Sequence, residues 1–75
     1  MKLFRIITDD EMRYINLENV AKIEFEKYTD GTYEITFYSF KNDEALDCVD
    51  LSKEEFKQLI NLLEKNVIYS VKSED

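Results

Sequence analysis

The chain has 75 residues, 17 acidic against ten basic, with no histidine, one glycine, one cysteine and a formal charge of -7 at neutral pH. This length holds one small domain with one core. A lone Cys48 and the absence of histidine leave self-association as the remaining device for closing a thin stability margin. The charge repels phosphate backbones and anionic membranes and favours basic partners, and no apolar run approaches the roughly 20 residues needed to cross a bilayer.

Lys2 to Thr8 alternates weakly and is rich in strand formers, and the Asp9-Asp10-Glu11 cluster after it reads as a turn before a second strand from Arg13 to Leu17. The apolar LFRII stretch is short, broken by Arg5 and followed at once by acids, unlike a secretory signal. With a single unpaired cysteine, this leads to the expectation of a reducing, cytoplasmic setting.

Asn16 to Asn19 redirects the chain into a long strand from about Val20 to Tyr28, and Thr29, Asp30 and Gly31 form the tip of a hairpin. Two registers compete. A two-residue Asp-Gly turn sets Phe25 opposite Thr36, mixing inward with outward residues. A three-residue loop with Gly31 in the left-handed region sets Phe25 opposite Ile35 and Ile23 opposite Phe37, keeping the apolar residues together. The second register is the one expected. It places Glu24, Glu26, Glu34, Thr36 and Tyr38 on the opposite face and sets Glu26 directly across from Glu34.

After Phe40 the KNDE segment reads as a polar turn, and Ala45 to Leu51 as a last strand with Cys48 as a small core residue. Ser52 followed by Glu55 completes a capping box, and Leu51 is placed to staple against Phe56. Phe56, Leu59, Ile60 and Leu63 then recur at helical spacing, and burying them is worth roughly 1.5 to 3 kcal/mol each. Leu62 falls off that stripe. The helix should end near Asn66, where Val67, Ile68, Tyr69 and Val71 turn to strand formers.

The expected fold is α+β, an antiparallel five-stranded β-meander with one helix packed on one sheet face and room for a sixth short C-terminal strand. Residues 1–72 form the domain and 73–75 a solvated tail. The stretch from Val67 to Val71 has to be covered, because an exposed β-prone run invites pairing. Pairing with the first strand of the same chain is the simpler solution, and exchange in a homodimer is the alternative.

No catalytic, cofactor-binding or metal-ligating set emerges. Without histidine an acid or base would have to be a carboxylate, lysine, tyrosine or Cys48, and Asp47 beside Cys48 suppresses the reactive thiolate. The consecutive acids Asp9, Asp10 and Glu11 lack the spacing of a ligand loop. Gly31 at a hairpin tip is no phosphate cradle. The expectation is a non-enzyme.

The candidate partner-binding residues are Glu24, Glu26, Tyr28, Glu34, Tyr38 and Phe40, which combine carboxylates with ring area suited to protein interfaces. DNA mimicry fits this face poorly. Alternate residues of one strand stand about 6.8 Å apart, against one charge per about 3.4 Å along a DNA strand, and mimicry would need Asp43, Glu44, Asp47 and Asp50 to join the patch. The sequence therefore points to a small acidic protein-binding or regulatory module whose partner carries a basic surface, and its size and charge also suit a phage or mobile-element inhibitor of a host protein. The alternative is a sheet-based single-stranded nucleic-acid-binding module that gathers Lys2, Arg5, Arg13 and Lys22 in a dimer and stacks bases on exposed rings.

Overall fold

Alternation and turn chemistry place the strands much as expected, and the covering of the apolar face decides how they assemble. The computed structural model describes residues 1–41 and 44–73. Strands β1 (Leu3–Ile7) and β2 (Met12–Asn16) form one hairpin, and a 3₁₀ turn over Leu17–Asn19 leads on to β3 (Val20–Lys27), β4 (Tyr33–Ser39) and β5 (Ala45–Leu51). Helix α1 (Lys53–Glu64) follows. Asn42 and Asp43 of the expected KNDE turn, and Glu74 and Asp75 of the tail, lie outside the described residues.

The expected single five-stranded meander is corrected to two antiparallel sheets, one of β1 and β2 and one in the order β3-β4-β5. The reason lies in the inner face of the larger sheet. A 12-residue helix is only about 18 Å long and covers one end, where Phe56 stacks on Tyr33 at 3.6 Å between ring centroids and meets Phe25 edge-on at 5.2 Å. The β1-β2 hairpin covers the rest, bringing Phe4 to 4.9 Å from Phe37. Ile6 and Ile15 of the hairpin join Ile35, Phe37 and Leu51 as the buried core. Ile35 and Phe37 are both 0% exposed, as befits the central strand.

The hairpin of β3 and β4 takes the three-residue loop. Ile23 faces Phe37, Phe25 faces Ile35 and Glu26 faces Glu34. Tyr28 N–H donates to the Thr32 carbonyl at 2.9 Å, closing a loop of Thr29, Asp30 and Gly31, and Gly31 has φ +90°. A side chain at that φ is strained, which is why glycine sits there. Asp30 Oδ1 fastens the turn by accepting from Thr32 N–H at 2.9 Å and from its hydroxyl at 2.6 Å. These bonds hold the Asp30 carboxyl below its ordinary value.

The capping box is present in full. Ser52 Oγ accepts from Glu55 N–H at 3.1 Å, and Ser52 N–H donates to Glu55 at 2.8 Å. Phe56, Leu59, Ile60 and Leu63 are half-buried, and Leu62 is exposed. Among the described residues no helix is long and apolar enough to cross a membrane.

Two further expectations are corrected. No sixth strand forms from Val67 to Val71, and the segment leaves α1 exposed; among the described residues β1 pairs with β2 and with no other strand. Cys48 is not a core residue but exposed. It stands opposite Thr36 on the outer face, since Asp47, Val49 and Leu51 take the inward positions of β5.

Candidate functional site

The outer face of the larger sheet is built by the same alternation that builds its core. On the central strand Glu34, Thr36 and Tyr38 point outward and each has a neighbour on either side. Glu34 lies between Glu26 and Asp50, Thr36 between Glu24 and Cys48, and Tyr38 between Lys22 and Ala45. Neighbouring strands stand about 4.8 Å apart, so Glu26, Glu34 and Asp50 form a row of three carboxylates across three strands. Like charges set directly opposite destabilise a sheet by up to about 1 kcal/mol per pair.

The two ends of this face differ in how their charge is balanced. At one end Lys22 Nζ lies 3.8 Å from Glu24 and 4.5 Å from the centre of the Tyr38 ring. At the other, none of the ion pairs among the described residues reaches Glu26, Glu34 or Asp50. The tyrosines register the field. Hydrogen bonding to Glu34, followed by burial and the charges of Glu34, Asp50 and Glu26, pushes the Tyr28 phenol up to about 12. Tyr38 is raised by Glu24, then by burial.

Of the expected partner-binding residues, Glu24, Glu26, Glu34 and Tyr38 line one shallow depression with Thr36. Tyr28 joins them through Glu34 at the hairpin end. Phe40 does not. It lies beyond β4, 73% exposed, and lines a separate groove with Asn19, Lys41 and Leu46. Asp50 belongs to the face although alternation along one strand could not show it, because only the β4-β5 register sets it beside Glu34.

The other acids go elsewhere. Asp47 turns to the inner side, where Arg13 grips it through Nε at 2.8 Å and through a second nitrogen at 3.0 Å. This bidentate pair ties β2 to β5. Glu11 also pairs with Arg13, and the two acids raise the guanidinium further above its already high value, Asp47 first. The Asp9-Asp10-Glu11 stretch is an exposed turn closed by Thr8 N–H donating to the Glu11 carbonyl at 2.9 Å. Asp43 lies outside the described residues. Of the four acids that DNA mimicry required, Asp50 is the one seen beside Glu34, and Asp47 faces away.

Within one chain Arg5, Arg13 and Lys22 do not share one face. Arg13 is engaged by Asp47 and Glu11, Lys22 by Glu24 and the Tyr38 ring. Arg5 lies on the opposite face of the β1-β2 hairpin from Arg13, because Arg13 is paired with Ile6. No protein-family model, curated protein or solved structure matches this chain.

Proposed function

We propose that this chain is a small, non-enzymatic protein-binding module that engages a basic surface of its partner through the outer face of β3, β4 and β5, in a cytoplasmic setting. The supporting observation is the row Glu26, Glu34 and Asp50. Three carboxylates side by side, with no cation among the described residues in reach, work against the sheet that carries them. A lysine- or arginine-bearing partner would relieve that repulsion on binding, so part of the row's unfavourable energy in the free protein returns as affinity. Tyr28 and Tyr38 flank the row with ring area and hydroxyls, the residue type that anchors protein interfaces at low entropic cost. An inhibitor from a phage or mobile element acting on a host protein is the specific form of this reading that suits the size and charge.

Affinity capture from the native host, with the wild-type chain and a Glu26→Lys, Glu34→Lys, Asp50→Lys variant compared by mass spectrometry, tests it. A partner recovered by the wild type and lost by the variant, at unchanged circular dichroism, is the expected result. Equal recovery by both chains contradicts the proposal. Titration with single-stranded oligonucleotides at low salt, where backbone-dominated contacts are strongest, checks the nucleic-acid alternative, and the expected result there is no binding.

A further inference from the structure

We infer that the segment Val67–Val71 of one copy pairs as an added strand along the open edge of β1 in a second copy, in a reciprocal two-fold dimer. The edge is defined by the hairpin's own hydrogen bonds. Thr8 N–H donates to the Glu11 carbonyl at 2.9 Å and Leu17 N–H donates to the Lys2 carbonyl at 3.0 Å. Between these bonds Phe4 faces Ile15 and Ile6 faces Arg13. Antiparallel ladders alternate, so Phe4 and Ile6 turn their backbone groups toward β2, and Leu3, Arg5 and Ile7 turn theirs away. No strand among the described residues pairs with that side.

The same edge lines a groove with Val49 of β5 and Gln58, Leu59 and Leu62 of α1. An open row of backbone donors and acceptors beside a groove of mixed apolar and polar side chains is a setting in which extended segments add to sheets. The chain itself supplies a matching segment. Val67 N–H donates to the Glu64 carbonyl at 3.2 Å as the helix ends, and beyond it Ile68 is 99%, Tyr69 81% and Val71 78% exposed. As a strand, this segment puts Val67, Tyr69 and Val71 on one face.

Area favours a second copy as the occupant. Each tail offers on the order of 400 Å² of apolar surface. Two tails and the surface they cover reach on the order of 1,600 Å², the size of an ordinary stable interface. An exchange of identical segments closes on itself by two-fold symmetry, so the exchange does not propagate from chain to chain.

The test is the solution mass of the full chain, by sedimentation across a concentration series, for the wild type, Arg5→Pro and Tyr69→Lys. The expected wild-type mass is twice the 9.0 kDa of one chain. Proline at position 5 removes an N–H that the monomer does not use in its ladder, and Tyr69 is exposed, so both variants should keep the wild-type circular dichroism. Both should dissociate at least tenfold more readily. A wild type that stays monomeric at every concentration, or a dimer that survives both substitutions, overturns the inference. In a Cys48→Ser background, chains bearing Arg5→Cys and chains bearing Tyr69→Cys should form a mixed disulfide when combined. A disulfide that forms only within one chain bearing both cysteines puts the tail on its own β1 and also overturns the inference.

Discussion

The two faces of strand β4 are separated by nothing but alternation, yet they answer to different demands. Ile35 and Phe37 are 0% exposed and are covered by α1 and the β1-β2 hairpin. Glu34, Thr36 and Tyr38, their neighbours in sequence, stand on an uncovered surface where Glu26, Glu34 and Asp50 repel one another. The inner face is what the fold requires. The outer face contains a feature that the fold tolerates, and such a feature is a better guide to function than a well-packed core is.

Substitutions that break this contrast on the inner side should have the largest effects. Phe37→Ala removes a fully buried ring that meets Phe4 and should destabilise by about 3 to 5 kcal/mol. That is much of the roughly 5 to 15 kcal/mol that holds a small domain together, and the urea midpoint should fall sharply or the cooperative transition disappear. Asp47→Ala leaves Arg13 paired with Glu11 alone and removes its tie to β5, so it should lower the midpoint by less than Phe37→Ala. Ser52→Ala removes the cap of α1 and should cost about 1 kcal/mol in the same measurement.

On the outer side the sign should reverse. Glu34→Gln removes the central charge of the row, so it should stabilise by a few tenths to about 1 kcal/mol. It should also move the Tyr28 titration. Tyr28 ionises at about 12, above its ordinary 10.0, in the folded chain. A raised pKa contributes stability that is complete below a pH of about 10 and is lost as pH climbs through the folded value. Tyrosinate absorbance should show this late titration in the wild type, and in Glu34→Gln it should fall back toward the ordinary value.

Much of the contrast was legible in the residues themselves. The register of β3 and β4 follows from one glycine and the apolar alternation around it, both local in sequence, and the capping box at Ser52 is equally local. The separation into two sheets was not legible, because it depends on which surface can cover Phe37, a matter of shape rather than pattern. Cys48 was misplaced although a sign was present: Val49 and Leu51 share the parity of the inner face, which assigns Cys48 to the outer one. Asp47 breaks that reading by being an inward acid. Its partner Arg13 lies 34 residues away, and no local pattern links the two. The candidate site was half legible for the same reason, since Glu24, Glu26 and Glu34 follow from the hairpin while Asp50 enters only through the β4-β5 register.

The measurement that bears most directly on the division between the faces is the unfolding free energy of a Glu26→Gln, Glu34→Gln, Asp50→Asn variant in urea. Two opposed carboxylate pairs vanish while shape and polarity are kept, so the variant should be more stable than the wild type by roughly 0.5 to 2 kcal/mol. A variant less stable than the wild type would contradict the account, because the carboxylate row would then be holding the sheet together rather than straining it.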